Sequence, residues 1–245
     1  MIWGDSEFQV RVLKFESQQP NKKSILIVPP TGGTNFLDRS YAKVLCKNGF
    51  DVFILERWTD DDEYSLDLSI HERFYARGQK AIEIALENIK SPFVAILGTS
   101  VGGIHAAIAI ARFKNLNAAF AIASGASIGE IIALSDQEVL VQARKQRFEI
   151  HGFKDDQEYI EALTPHLPLE PLQLPTPPKH KQLGMVIARA DTTVPTQTQR
   201  VLEQLWMPRV VVEVSGNHFF SILKTWFFHR RKIVEFFKSA AQMNL

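Results

Sequence analysis

Three side chains in this sequence have the types and the order to run acyl chemistry. Ser100 stands in Gly98-Thr99-Ser100-Val101-Gly102-Gly103, Asp191 in Ala190-Asp191-Thr192-Thr193-Val194-Pro195, and His218 in Gly216-Asn217-His218-Phe219-Phe220. A serine hydroxyl is a weak nucleophile until a base takes its proton, and a histidine oriented by an acid is the usual base. The Gly-x-Ser-x-Gly spacing is that of a tight strand-to-helix turn that lifts one serine hydroxyl above the end of a sheet. So sharp a turn strains the serine backbone and demands small neighbours, which Gly98, Gly102 and Gly103 supply. The helix that follows aims its first N–H groups at the place where an oxyanion would form. Each residue also has an ordinary structural use. The serine can be a plain turn, Asp191 can start a turn before Val194-Pro195, and His218 can cap the last helix. Their joint occurrence, in the order serine, acid, histidine and each just past a strand, carries the catalytic reading.

The elements that must position them follow from hydrophobic patterning. Short apolar or alternating runs predict strands at 8–15 (an edge strand), 24–28, 51–55, 93–97, 118–123, 185–188 and 209–214. Helical patterns fall at 38–48, 69–90, 101–113, 196–205 and 220–237. Strands alternating with helices predict an α/β fold, a mostly parallel central sheet with helices on both faces. Such sheets collect ligands and catalysts at the carboxyl ends of their strands. Ser100, Asp191, His218 and the loop 29–34 (Pro-Pro-Thr-Gly-Gly-Thr) all fall at that edge.

The alternation breaks between 130 and 181. Apolar groups at Ile131, Ile132, Leu134, Val139, Leu140, Val141, Phe148, Ile150, Tyr159, Ile160 and Leu163 predict two or more amphipathic helices. Six prolines between 165 and 178 exclude helix or central strand there. The expected organisation is a core domain, 1–129 and 182–245, with a helical cap at 130–181 inserted before the penultimate strand.

Bulk composition narrows the classes. The chain has 245 residues, 45% of them hydrophobic and 22% charged, which suits one globular domain. A net charge of +1 gives no general attraction to nucleic acid or acidic membranes. Cys46 is the only cysteine, so no internal disulfide is possible, and its helical context reads as a buried apolar filler. No basic segment followed by an apolar core opens the sequence, and no apolar run reaches the ~20 residues of a bilayer span. A cytoplasmic protein without stable membrane insertion, monomeric or homodimeric, is expected. The acidic run 59–64 (Thr-Asp-Asp-Asp-Glu-Tyr) reads as a solvated loop, and no metal or other cofactor is called for. The aromatic and basic stretch 226–232 reads as a core-packed helix, with Ile222, Leu223, Trp226, Ile233 and Phe237 closing the flank of the sheet.

The three motifs together resemble the α/β-hydrolase superfamily, specifically its capped serine esterases and lipases, over nearly the whole length outside the cap. In that family the acid stands in a D-x-x-V-P context and the histidine in a G-x-H context, as here. The resemblance implies the α/β-hydrolase fold and a role for each residue. Ser100 attacks an acyl carbonyl, His218 accepts the proton and returns it to the leaving group, and Asp191 holds the imidazole in its tautomer. It also implies an oxyanion hole of backbone N–H groups from Val101 and from the 29–34 loop, where Thr31 is the first choice and Gly32 the second. The family's His-Gly before that residue is replaced by Pro29-Pro30. Phe219 and Phe220 are candidate substrate contacts, and the expected substrate is a small acyl ester or thioester with an apolar acyl group. An acyltransferase, a peptidase on the same triad, or a catalytically silent ligand-binding scaffold are the alternatives.

Overall fold

A computed structural model of the chain describes residues 1–6, 8–19, 22–56 and 66–244. The whole of the acidic run 59–64 lies outside the described residues. The described strands are β1 (Ile2–Gly4), β2 (Gln9–Phe15), β3 (Lys23–Val28), β4 (Asp51–Leu55), β5 (Phe93–Thr99), β6 (Ala118–Ile122), β7 (Gln182–Ala188) and β8 (Val210–Val214). They form one sheet in the order β1-β2-β4-β3-β5-β6-β7-β8. The pairs β1–β2 and β2–β4 are antiparallel and the remaining pairs are parallel. The fold class expected from the patterning is therefore observed. One correction concerns the first predicted strand: β2 is not at the edge, because β1 pairs with it through Trp3 opposite Val10. A three-residue strand is too short to leave a period in the sequence.

Side chains alternate between the two faces of the sheet, and each face has its own core. Leu26, Val28, Val94 and Ile96 pack with α2 (Ile70–Asn88), α3 (Val101–Arg112) and α7 (Thr196–Trp206). Ile25, Ile27, Ala95 and Leu97 pack with α1 (Phe36–Lys47) and α9 (Arg230–Asn244). All seven residues of β5 are buried, as a central parallel strand requires. After β3 the chain pairs β4 on one side and then returns to place β5 on the other. That reversal opens a crevice beyond the carboxyl ends of β3 and β5.

Between β6 and β7 run α4 (Ile128–Leu134), α5 (Glu138–His151) and α6 (Asp156–Leu163), then 3-10 turns at Thr164–His166 and Pro171–Gln173. Ile131, Ile132, Tyr159 and Leu163 are buried against Tyr75 of α2 and Ile104 and Ile108 of α3, whereas Leu134 and Ile150 are exposed. Buried Glu170 anchors this segment, accepting the N–H groups of Ser127 and Ile128 at the start of α4. Lys181 ends it, donating to the Ile110 and Phe113 carbonyls at the close of α3 at 2.9 and 2.7 Å.

The last predicted helix begins earlier and ends later than its pattern. It comprises α8 (His218–Lys224), a π-helical stretch Thr225–His229, and α9. Ile222, Trp226, Ile233 and Phe237 pack on the sheet, while Phe227 and Phe228 stand exposed. Cys46 is half-buried rather than buried, and its thiol, pushed up to about 11 by burial, donates to the Phe15 carbonyl.

Candidate active site

Ser100 sits at the sharp turn between β5 and α3 with φ 55° and ψ −126°, a conformation that non-glycine residues rarely hold. Its surroundings over-determine that strain. The Ser100 N–H donates to the Ile122 carbonyl at 2.8 Å, and its carbonyl accepts from Ser124 Oγ at 2.7 Å and from the Gly103 N–H at 2.8 Å. The glycines are required by space. A Cβ on Gly98 would lie 2.1 Å from the Gly102 carbonyl oxygen, and one on Gly102 would lie 2.2 Å from that of Val28. A Cβ on Gly103 would lie 1.9 Å from Ser124 Oγ.

His218 is the first residue of α8, whose cap is Asn217: the Asn217 side chain accepts the Phe220 N–H at 3.1 Å. The imidazole is therefore not spent on capping. Its Nδ1 lies 2.7 Å from Asp191 Oδ2 and its Nε2 lies 2.9 Å from Ser100 Oγ. A carboxylate only accepts, so Nδ1 carries the proton, and Nε2 is left to accept the Ser100 hydroxyl.

Asp191 is held on every side. Oδ1 accepts the N–H groups of Thr193 and Val194 at 3.0 and 2.9 Å, and Oδ2 accepts Gln199 Nε2 at 2.9 Å as well as the histidine. Its side chain is fully buried, while that of His218 keeps 16% exposure. Gln199, from α7, also accepts the Ala188 N–H and donates to the Val194 carbonyl, so one side chain fixes the whole loop after β7. Asp136, between α4 and α5, accepts the hydroxyls of Thr192 and Thr193, and these bonds hold its carboxyl below the usual range. Gln199, Ser124 and Asp136 escape sequence reasoning because none has a spacing relative to the residue it supports.

Of the oxyanion candidates, Val101 is the first residue of α3, where an N–H has no intrahelical partner. Thr31 lines the crevice beside Ser100, whereas Gly32 does not. The two occupy the centre of a turn closed by the Gly33 N–H on the Pro30 carbonyl at 3.1 Å. Phe219 lines the crevice and Phe220 does not, although their rings touch at 5.7 Å.

Two cavities meet at Ser100, sharing Thr31, Gln137 and Thr193 in their walls. The inner one, about 80 Å³, runs between α2, α3 and the helices after β6, with an apolar wall of Ile70, Phe74, Val101, Ile104, Ile131, Ile132, Val139, Leu140 and Val194. His71 is a polar group in that wall. Its Nε2 lies 2.9 Å from Arg147 Nη1, which also donates to the Tyr159 hydroxyl at 2.6 Å. Arginine only donates, so His71 Nε2 accepts and the ring is neutral. Burial and the adjacent guanidinium push it down to about 3. The outer cavity, about 370 Å³, is lined by Pro30, Asn35 to Asp38, Tyr41, His218, Phe219 and Ile222. No group of acidic, histidine or cysteine side chains among the described residues is arranged to hold a metal ion. No helix among them is long and apolar enough to cross a membrane.

No family model and no curated protein matches this chain by sequence. Solved structures do match it by shape. An acylaminoacyl peptidase from Pyrococcus horikoshii superposes with a TM-score of 0.71 at 14% identity over 97% of this chain and 40% of its own. The alpha/beta hydrolase GrgF from Penicillium sp. gives 0.68 at 15% identity over 98% of this chain and 97% of its own. A monoacylglycerol lipase from Paleococcus ferrophilus gives 0.61 at 14% identity over 95% of this chain and 100% of its own. The present chain thus spans about two fifths of the peptidase and nearly the full length of the other two. Its fold is the α/β-hydrolase fold, as the three motifs led one to expect.

Proposed function

We propose that this protein is a serine hydrolase that cleaves carboxylic esters or thioesters through an acyl-enzyme on Ser100. The observation that carries the reading is the unbroken relay from Ser100 Oγ to His218 Nε2 at 2.9 Å and from His218 Nδ1 to Asp191 Oδ2 at 2.7 Å. As Ser100 Oγ attacks the carbonyl carbon, its proton passes to Nε2, and Asp191 stabilises the imidazolium that forms. The tetrahedral oxygen is met by the Val101 N–H and by Thr31 of the loop after β3, each such donor being worth about 3 kcal/mol in the transition state. His218 then gives the proton to the departing oxygen or sulfur, and a water activated by the same nitrogen clears the acyl group.

The two cavities divide the substrate. His218 borders the outer cavity and not the inner one, so the departing group, which must take its proton, lies outward. The acyl chain then enters the inner slot, whose apolar wall and small volume favour a short or slender chain. Turnover of a p-nitrophenyl ester series from acetate to decanoate tests this. A maximum at short to medium chains, lost on Ile132→Trp, which fills the slot, supports it. Turnover that ignores both chain length and that substitution contradicts it.

A further inference from the structure

Two buried polar side chains on α1 face the outer cavity, and the protein itself uses them only in part. Asp38, 2% exposed, lies in the cavity wall. Its Oδ2 accepts the Asn35 N–H at 2.9 Å in the capping box of α1. Its Oδ1 accepts no hydrogen bond from the described residues. Tyr41, one helical turn further on and also 2% exposed, lines the same cavity, and its hydroxyl has no hydrogen-bond partner among the described residues. Residues three apart share a helix face, so the two side chains lie on the same side of α1, near enough for the Asp38 charge to act on the phenol but not hydrogen-bonded to it. The Tyr41 ring is fixed edge-on to Trp226 with centroids 4.8 Å apart.

Helix capping explains one oxygen of Asp38 and nothing of the Tyr41 hydroxyl. Buried polar groups are as a rule hydrogen-bonded, so a cavity-lining exception calls for an explanation, and a bound partner is one. Burial pushes the Asp38 carboxyl up to about 6, so near neutral pH it is mainly an acceptor. The Tyr41 hydroxyl both donates and accepts. An acceptor beside a donor complements a hydroxyl, which gives one hydrogen bond and receives another. An ammonium group only donates and would leave the phenol proton unmatched.

We propose that the outer cavity is a subsite for an alcohol portion that carries a further hydroxyl, which donates to Asp38 Oδ1 and accepts from the Tyr41 hydroxyl. The substrate class is thus an ester of a diol or polyol. The inference rests on the hydrolase reading above, because His218 places the departing alcohol in this cavity.

The test compares 2-hydroxyethyl butyrate with 2-methoxyethyl butyrate, which has the same reach but no donor. It uses the wild type, Asp38→Asn, which can still accept the Asn35 N–H, and Tyr41→Phe, which loses only the hydroxyl. The wild type is expected to favour the hydroxyethyl ester about tenfold in kcat/KM, chiefly through KM, with the ratio falling toward one in both variants. Saturation-transfer NMR on Ser100→Ala gives an arm free of turnover, in which the hydroxyethyl ester binds and loses binding when Asp38→Asn is added. Equal kcat/KM for the two esters in the wild type, with both turned over, overturns the subsite and leaves the hydrolase reading standing. No turnover of either ester overturns the hydrolase reading, and the NMR arm then decides the subsite alone: preferential binding of the hydroxyethyl ester upholds it, and equal or absent binding overturns it.

Discussion

His105 offers a direct measure of how dry the layer beneath the candidate site is. It lies in α3, fully buried, and burial alone pushes its imidazole down to about 3. The folded chain therefore keeps His105 neutral where the unfolded chain, with an ordinary histidine value of about 6.5, takes up a proton. The unfolded state binds more protons below about pH 6.5, so stability falls as the pH drops through the window from about 6.5 to about 3. At 1.36 kcal/mol per unit, the loss by about pH 4 is roughly 3 kcal/mol from this one residue. His105→Leu removes the titration while keeping most of the volume. It also takes one contact from Gln79 Nε2, which lies 3.2 Å from His105 Nδ1 and keeps its bond to the His105 carbonyl at 3.0 Å. That fixed cost does not depend on pH, so the informative quantity is a difference of differences. Urea unfolding of both proteins near pH 7 and near pH 4, followed by tryptophan fluorescence, should show the variant losing about 3 kcal/mol less on acidification. Parallel stability curves, within about 1 kcal/mol, would refute the reasoning.

Asp38 should respond in the opposite sense. Its carboxyl is raised to about 6, so its contribution is intact below about pH 4 and is lost as the pH rises to about 6, roughly 3 kcal/mol in all. Asp38→Asn should therefore be the more stable protein near neutral pH and lose that advantage near pH 4, as urea titrations would report. Gly103→Ala drives a methyl group to within 1.9 Å of Ser124 Oγ and should displace the hydroxyl that holds the Ser100 carbonyl. A loss of about 1–3 kcal/mol in unfolding experiments, with a lower kcat, is expected. Gln199→Leu removes one of the two donors to Asp191 Oδ2, leaving that oxygen to His218 alone, and takes the side-chain donor from the Val194 carbonyl. If Gln199 orients Asp191, kcat should fall about tenfold or more and the acid limb of the pH–rate profile should move, with KM little changed.

Much of this site could be read from local patterns. The buried run before Gly98 and the helical run after Ser100 mark the elbow, and the atoms crowding Gly98, Gly102 and Gly103 explain why each glycine is needed there. Asp191 and His218 were legible because each follows a strand directly, and strand ends are where this topology gathers its chemistry. The supports were not legible. Gln199 reaches Asp191 from the next helix, Ser124 reaches Ser100 from the loop after β6, and Asp136 reaches Thr192 across more than fifty residues of chain. Such contacts arise from the packing of whole elements and leave no period in the sequence. The same holds for His71, which belongs to the inner cavity only because α5 brings Arg147 and α6 brings Tyr159 against α2. On the last helix the expected face was legible, with Ile222, Trp226, Ile233 and Phe237 packing on the sheet, whereas the π-helical stretch Thr225–His229 and the exposure of its Phe227 and Phe228 were not.

The central claim is that Ser100 is a nucleophile activated by His218. Intact-protein mass spectrometry after exposure to a fluorophosphonate tests it most directly, with the wild type beside Ser100→Ala and His218→Ala. A single phosphonyl adduct is expected on the wild type, mapped to Ser100, with none on Ser100→Ala and strongly slowed labelling of His218→Ala. A folded wild type that takes up no label, or takes it up at another serine, would contradict the account.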